Sequence, residues 1–265
     1  MIKVQSKITS VTHLGDDYAV VELHCPQVAP LCKPGHFVNI RCDKVLLRRP
    51  IAVLDVEGEV IKFFIQKTGE GTRWITSRKP GDILDIVGPL GKGLFETNNA
   101  KRVILVAGGV GLAPLYYYLS DAKKYNIETL LFYGARTAGR IFFQHELMKL
   151  ADRCVFVTED GTMGKKGRVT DELKRFYFES GAGSADMIMA CGPKFMLREV
   201  VAFADSEDVP CQVSLESYMG CGAGVCLSCV IPAKKHEYEA EVYIKLCTDG
   251  PVLDSKLIDN TFFEE

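Results

Sequence analysis

Hydrophobic and polar positions alternate over short stretches in the first third of the chain. These stretches are rich in β-branched and aromatic residues, and turns that contain glycine or proline separate them. Short strands at this spacing are typical of a small antiparallel barrel, and one brief helix is expected after Gly71. The predicted strands are Ala19–Leu23, Phe37–Ile40, Ile61–Ile65 and Ile83–Val87.

After Asn98 the pattern changes to continuous apolar runs separated by amphipathic stretches. The run Val103–Ala107 contains no polar residue, as expected of a strand that is buried on both faces. Strands that alternate with helices predict a parallel sheet with helices on both sides. Further strands are expected at Glu128–Tyr133, Cys154–Val157 and Met187–Ala190, and helices at Ala113–Lys124, Gln144–Leu150, Thr170–Glu179 and Lys194–Ala204.

These patterns predict a multi-domain protein of β and α/β class. Residues 1–98 are expected to form the antiparallel β-barrel, residues 99–211 a parallel α/β nucleotide-binding domain, and residues 212–265 a small cysteine-containing segment. A length of 265 residues is sufficient for two domains with substantial cores.

Charge and composition exclude several classes of function. The 32 basic and 34 acidic residues nearly cancel, so no basic excess favours binding of nucleic acid or of an anionic membrane surface. Glycines interrupt the longest apolar stretch, Val103–Leu119, and no membrane span is expected. The first residues lack the apolar run of a signal peptide, which favours a cytoplasmic protein with reduced thiols.

Four of the ten cysteines lie close together near the end of the chain. Cys221 and Cys226 are separated by four residues, Cys226 and Cys229 by two, and Cys247 follows after seventeen more. Four thiolates can bind either zinc or an iron–sulfur cluster. Zinc sites usually contain two C-x2-C pairs, whereas this order is the plant-ferredoxin spacing for [2Fe–2S]. The spacing therefore favours a [2Fe–2S] cluster.

A glycine-rich loop, Gly108–Gly111, connects the first parallel strand to its helix. Glycines at this position let the backbone approach a pyrophosphate, and the helix N-terminus carries partial positive charge. The loop is not the G-x-G-x-x-G fingerprint, so a simple tight turn is an equally good interpretation of this loop alone. Cys191 and Gly192 end a later strand at the edge where ligands bind in open α/β sheets.

Two barrel motifs could bind phosphate groups. Arg49 lies near the start of a strand, and Gly71 and Thr72 lie at the start of the predicted short helix. Singly, each is more often a surface arginine or an ordinary turn. Two separated phosphate-binding elements together suit a dinucleotide such as FAD.

Taken in chain order, the two barrel motifs, the glycine-rich loop and the strand end at Cys191 and Gly192 resemble the motifs of the ferredoxin–NADP reductase superfamily. The segment Met219–Cys229, followed by Cys247–Val252, is more specific and resembles the electron-transfer subunits of type B dihydroorotate dehydrogenase. The resemblance covers essentially the whole chain. It implies an FAD on the barrel, NAD(H) on the α/β domain and a [2Fe–2S] cluster in the C-terminal segment.

The resemblance also implies site residues and a partner. The FAD would contact Arg49, Pro50, Ile51, Ala52, Phe64, Ile65, Gln66, Gly71 and Thr72. The nicotinamide nucleotide would contact Gly108, Gly109, Val110, Gly111, Cys191 and Gly192. The cluster ligands would be Cys221, Cys226, Cys229 and Cys247. Electrons would pass to the FMN of a separate dihydroorotate dehydrogenase catalytic subunit, in a heterotetramer with two copies of each chain, in pyrimidine biosynthesis.

No catalytic acid–base pair is expected, because the bound cofactors supply the chemistry. The five histidines lie in neither a nucleophile nor a metal-ligand spacing. NADH is favoured over NADPH, since the residues after Arg136 add little positive charge apart from Arg140. Two alternatives stay open: a similar reductase subunit of a bifurcating transhydrogenase, a sulfhydrogenase or an oxygenase, and a zinc-stabilised binding module without enzymatic activity.

Overall fold

The computed structural model describes residues 1–43, 45–179, 185–234 and 242–264. His236, one of the five histidines considered above, lies outside these residues. Across the described part of the chain, no helix combines the length and the apolar character needed to cross a membrane.

The N-terminal part is an antiparallel sheet of seven strands that curls into a half-barrel. The strand order is β4-β3-β7-β1-β2-β6-β5, and every pairing is antiparallel. Its apolar interior includes Ile8, Val21 and Phe63, which are fully buried, and the predicted antiparallel barrel is confirmed in this open form. The elements are β1 Ile2–Leu14, β2 Tyr18–His24, β3 Phe37–Ile40, β4 Arg49–Ala52, β5 Asp55–Glu57, β6 Val60–Gln66, α1 Glu70–Thr76 and β7 Ile83–Leu90.

The longest strand, β1, is absent from the predicted set. Most of its side chains are polar, and only Ser6 and Ile8 are fully buried. Its position between β7 and β2 is fixed by pairing on both edges. Strand formation here depends on cross-strand neighbours, which a local apolar pattern does not reveal.

The middle of the chain forms the predicted parallel sheet, in the order β11-β10-β9-β8-β12-β13. Helices cover both faces: Leu105 points toward Leu115 of α2, and Ile104 belongs to the opposite core with Leu173 of α4 and Val200 of α5. The elements are β8 Arg102–Gly108, α2 Leu112–Ala122, β9 Glu128–Ala135, α3 Gln144–Leu150, β10 Arg153–Thr158, β11 Lys165–Lys166, α4 Val169–Glu179, β12 Met187–Cys191, α5 Lys194–Ser206 and β13 Cys211–Ser214.

The C-terminal segment packs along the seam between the half-barrel and the parallel sheet. Its strands are β14 Val230–Pro232, β15 Tyr243–Lys245 and β16 Val252–Asp254. β16 adds an antiparallel strand to the edge of the sheet at β13, while Pro251 forms a bridge with Gly93 at the end of the half-barrel. The cysteine-containing loop between β13 and β14 is therefore held against both parts of the molecule.

Candidate functional site

Two clefts meet between the half-barrel and the carboxyl ends of the parallel strands. The sheet cleft, about 720 Å³, is lined by Gly108–Gly111 and by the ends of β9, β10 and β12. The barrel cleft, about 300 Å³, is lined by β4 and β6 and, across from them, by Cys191 and residues 214–217. Both clefts are lined by Gln66, Val110, Leu215 and Glu216. Molecules bound in the two clefts would therefore touch each other at this junction.

Most of the residues predicted for FAD line the barrel cleft. Pro50, Ile51, Ala52, Phe64, Ile65, Gln66 and Thr72 are among its walls. Arg49 and Gly71 adjoin it, because the side chain of Arg49 lies against Gly71 at the start of α1. The Thr72 hydroxyl donates to the carbonyl oxygen of Gly69 at 3.1 Å and accepts from the Gly69 N–H at 3.2 Å. The Thr72 side chain thus caps its own helix as well as facing the cleft.

The glycine loop between β8 and α2 serves two purposes. A side chain at Gly111 would overlap the carbonyl of Cys191, and one at Gly108 would overlap Pro193 and Met196. These two glycines are therefore required for close packing of adjacent strand ends. Gly109 is different: its φ is +56° and a Cβ there would meet no atom within 4 Å. It faces the open cleft, where its backbone could be approached by a ligand.

Charged side chains surround the outer part of the sheet cleft. Arg136, Arg140 and Arg168 line it together with the carboxylate of Glu159, directly after β10. Lys194 lies at its edge, where Nζ donates to the carbonyl oxygen of Phe262 at 3.2 Å and stands 4.3 Å from the Phe262 ring centroid. The wall is suited to phosphates, and the carboxylate of Glu159 could accept hydrogen bonds from a ribose.

Glu216 lies where the two clefts meet, and Cys191 lines the barrel cleft close to it. Burial and the charge of Glu216 hold the pKa of the Cys191 thiol well above its usual range, so this cysteine is a neutral thiol. The surrounding protein also desolvates the Glu216 carboxyl group and raises its pKa above the usual range. Sequence reasoning missed Glu216. The available signal was its position two residues after β13, at the carboxyl edge of the sheet.

The four clustered cysteines form two pairs. Cys221 and Cys226 are exposed, and each backbone N–H donates to the other's sulfur, at 3.3 and 3.4 Å. Cys229 and Cys247 are buried, and their side chains interact with each other. The pKa of Cys226 is lowered to about 6, first by hydrogen bonds from Ser228, whereas burial raises the pKa of Cys247 to about 11.

This arrangement fits a two-iron cluster better than a single metal ion. Two further N–H groups point at the sulfurs: Ala223 donates to Cys221 at 3.3 Å and Gly224 donates to Cys247 at 3.2 Å. N–H donors of this kind stabilise the negative charge of a thiolate-bound cluster.

Comparison with known families agrees with this geometry. Residues 216–259 match the family model of the iron-sulfur cluster binding domain of dihydroorotate dehydrogenase B, and residues 105–202 match that of the oxidoreductase NAD-binding domain. The first match begins at Glu216 and includes all four cysteines. The second spans the glycine loop, Cys191 and Gly192.

Solved structures with the same fold include two reductases. One, described as an NADH-dependent reduced ferredoxin-NADP oxidoreductase studied for flavin-based electron bifurcation, is 29% identical with a TM-score of 0.86, covering 98% of this chain and 91% of that chain. Another, the ferredoxin reductase in carbazole 1,9a-dioxygenase, has a TM-score of 0.68 at 20% identity, covering 79% and 67% of the two chains. The second shows the common fold alone.

Two curated relatives match most of the chain. Both are described as the electron transfer subunit of dihydroorotate dehydrogenase B (NAD(+)). The protein from Desulforamulus reducens is 32% identical over 94% of this chain and 95% of its own length. The protein from Caldanaerobacter subterraneus is 41% identical over 83% and 84% of the two lengths. At this identity and coverage, the chain belongs to the family of dihydroorotate dehydrogenase B (NAD(+)) electron-transfer subunits.

Proposed function

We propose that this chain transfers electrons between NAD(H) and the FMN of a dihydroorotate dehydrogenase catalytic subunit, through an FAD and a [2Fe–2S] cluster, in pyrimidine biosynthesis. The observation that carries the proposal is the junction of the two clefts at Gln66, Val110, Leu215 and Glu216. The cysteine loop begins a few residues after this junction. The sheet cleft therefore adjoins the barrel cleft, and the cysteine loop follows close to their junction.

Each part of the chain has its own role in the proposal. Residues 1–98 hold the FAD in the barrel cleft, through β4, β6 and the pair Gly71 and Thr72. Residues 99–211 hold NAD(H) in the sheet cleft, through Gly108–Gly111 and the Cys191–Gly192 turn. Residues 212–265 hold the cluster through Cys221, Cys226, Cys229 and Cys247. These boundaries and ligands are the ones that the sequence predicts.

FAD accepts two electrons as a hydride and can release them singly, whereas a [2Fe–2S] cluster carries one electron at a time. The protein contributes position and electrostatics. Burial raises the pKa of the Glu216 carboxyl group at the junction above its usual range. The Cys191 thiol is neutral for the same reason, burial. The N–H groups of Ala223 and Gly224 stabilise negative charge at the cluster.

The cysteine loop carries the features of a docking surface. Tyr218 is 93% exposed and Val225 is 79% exposed, and Leu227 beside them is also exposed. Exposed apolar groups beside an exposed pair of cysteines favour contact with a partner that receives the electrons. We propose that this partner is the FMN-containing catalytic subunit, in a heterotetramer of two plus two chains, and that the complex is cytoplasmic.

Reconstitution tests the proposal. The purified chain should contain FAD and about two iron and two sulfide per chain, reduce dyes with NADH, and make no orotate from dihydroorotate. Addition of the FMN-bearing catalytic subunit should give NAD-linked dihydroorotate oxidation. Stoichiometric zinc without sulfide would favour the zinc-stabilised module. Dihydroorotate turnover by the chain alone would contradict the relay.

A second candidate is a subunit of an electron-bifurcating reductase. The likeness to the NADH-dependent reduced ferredoxin-NADP oxidoreductase covers 98% of this chain at 29% identity. The same cofactors would then serve another partner. The two candidates separate in one assay: the catalytic dihydroorotate subunit restores NADH-linked turnover only under the first, whereas NADH-dependent coupling of ferredoxin and NADP(H) with a second flavoprotein supports the second.

A further inference from the structure

The turn between β1 and β2 of the half-barrel brings a carboxylate to the arginines of the sheet cleft. Oδ2 of Asp17, in this turn, lies 3.5 Å from Nη2 of Arg140, which lines the cleft. Arg136 and Arg168 line the cleft as well. In the described part of the chain, Arg140 is the one of these three arginines that pairs with a carboxylate. A residue of the half-barrel therefore acts on the charge of a cleft that belongs mainly to the sheet.

Buried aromatic rings, rather than the ion pair, hold the turn in this place. Tyr18, the residue after Asp17, stacks on Phe64 with ring centroids 5.6 Å apart and packs against Phe142 at 4.8 Å. Phe64 and Phe142 also meet edge to face at 5.3 Å. Aromatic contacts of this kind contribute more to stability than an exposed ion pair does. Since Phe142 closely follows Arg140 in the chain, the ring cluster fixes the turn beside this arginine.

Hydrogen bonds fix the backbones of both charged residues. The Arg140 N–H donates to the carbonyl oxygen of Thr137 at 3.0 Å, and the Tyr133 hydroxyl donates to the carbonyl oxygen of Arg140 at 3.3 Å. On the other side, the Lys67 N–H donates to the carbonyl oxygen of Asp17 at 2.7 Å. Only side-chain freedom is therefore lost when the carboxylate and the guanidinium group pair.

The position of Arg140 relates the pair to the choice of nucleotide. In open α/β sheets, the adenosine ribose of a dinucleotide binds at the carboxyl end of the strand that follows the glycine loop and its helix. That strand is β9 here, and Arg136 and Arg140 come soon after its end. An arginine at this position can bind the 2′-phosphate that distinguishes NADP(H) from NAD(H). A carboxylate beside the arginine offsets its charge and repels that phosphate.

We propose that Asp17 is a specificity-determining residue of the sheet cleft: by pairing with Arg140, it disfavours the 2′-phosphate of NADP(H) relative to the free 2′-hydroxyl of NAD(H). The inference rests on the proposed function, since it requires a nicotinamide nucleotide in this cleft. The choice of nucleotide then depends on the packing of the half-barrel against the sheet, because the half-barrel supplies the carboxylate.

Direct binding measurements on the holoprotein test the proposal without turnover. Isothermal titration calorimetry gives the affinities for adenosine 2′,5′-bisphosphate and for adenosine 5′-monophosphate. Asp17→Asn should raise the ratio of the first affinity to the second by about fivefold, the upper range for an exposed ion pair. Asp16→Asn is the matched control, because it removes the same charge from the neighbouring residue of the turn. It should change the ratio by less than twofold.

Kinetics provide a second readout. With dyes as acceptors, Asp17→Asn should raise the ratio of kcat/KM for NADPH to that for NADH by about fivefold, through a lower KM for NADPH. The gain should shrink at high ionic strength, because salt screens charges near the surface. A change in kcat alone would contradict the proposal, since the carboxylate is assigned to binding and not to hydride transfer.

A double-mutant cycle tests the contact itself. In an Arg140→Gln background, Asp17→Asn should leave the affinity ratio unchanged, because the carboxylate acts through this arginine. The inference is wrong if Asp17→Asn keeps the wild-type ratio, if Asp16→Asn raises the ratio equally, or if the gain persists without Arg140. A wild-type holoprotein whose flavin is reduced by neither NADH nor NADPH would instead contradict the proposed function.

Discussion

The side chain of Arg49 lies directly across Gly71. A Cβ atom at position 71 would come within 2.6 Å of Nε of Arg49 and 2.8 Å of its Cγ. A hydrogen bond also fixes the guanidinium group of Arg49, since its Nη1 donates to the carbonyl oxygen of Leu47 at 2.9 Å. Two motifs that are separate in the sequence therefore meet beside the barrel cleft, and the glycine determines where the arginine lies.

We therefore expect Gly71→Ala to displace Arg49 and weaken FAD binding by about tenfold, the equivalent of one lost charge-assisted hydrogen bond. The measurement is the flavin-to-protein ratio after gel filtration, with the Kd from fluorescence quenching. Gly69→Ala is the control, because a Cβ at that position meets no atom within 4 Å. Equal flavin retention in both variants would contradict the assigned contact.

The carboxylate of Glu159, at the arginine-lined end of the sheet cleft, should govern the choice of nicotinamide nucleotide. Glu159 lines the cleft beside Arg136 and Arg168. Its negative charge should repel the 2′-phosphate of NADPH and accept hydrogen bonds from the ribose of NADH. Glu159→Gln should lower the ratio of kcat/KM for NADH to that for NADPH by about tenfold. Glu207→Gln, at the end of α5, should leave the ratio unchanged, and a wild-type preference for NADPH would overturn the assignment.

The exposed cysteine pair allows hydride transfer to be separated from onward electron transfer. Cys226→Ser should abolish NADH-linked turnover with the catalytic subunit, because the cluster loses a ligand. Reduction of the flavin by NADH should continue at a rate within about twofold of wild type, since the sheet and barrel clefts are unchanged. Cys154→Ser, on β10 away from the loop, should retain both activities. Normal coupling in Cys226→Ser would refute the relay.

The stability of the protein should fall in mild acid because of His36. Burial and the nearby charge of Lys33 lower the pKa of His36 from 6.5 to about 4, and its Nδ1 accepts a hydrogen bond from the Lys33 N–H at 2.8 Å. The unfolded chain therefore binds a proton between pH 6.5 and 4 that the folded protein does not. The free energy of unfolding must decrease as the pH falls through this window.

At pH 5 this histidine alone should reduce the free energy of unfolding by about 2 kcal/mol relative to pH 7.5. His36→Asn removes the titrating group and keeps an acceptor for the Lys33 N–H. Denaturant unfolding of the holoprotein at the two pH values should show a loss that is smaller by this amount in the variant. An identical loss in both proteins would show that His36 is not buried as a neutral side chain.

The local sequence was sufficient to predict those elements whose characteristic residue pattern lies within one short stretch of chain. The β8 strand is apolar at every position between its two end residues. The local sequence alone therefore predicts that both faces of this strand are buried. The cysteine spacing predicts a cluster because one loop carries three of the four ligands, and the family matches agree with it. Phe37–Ile40 and Gln144–Leu150 have the predicted bounds for the same reason.

Tertiary structure alone decided what depends on contacts between distant segments. β1 becomes a central strand because β2 and β7 pair with its two edges, although its own residues are mostly polar. Glu216 becomes part of a junction because β13 places it between two clefts. Asn39 and Gly222 touch because the C-terminal segment folds back along the seam. Sequence patterns record periodicity along the chain, whereas these contacts follow from how separate elements pack together.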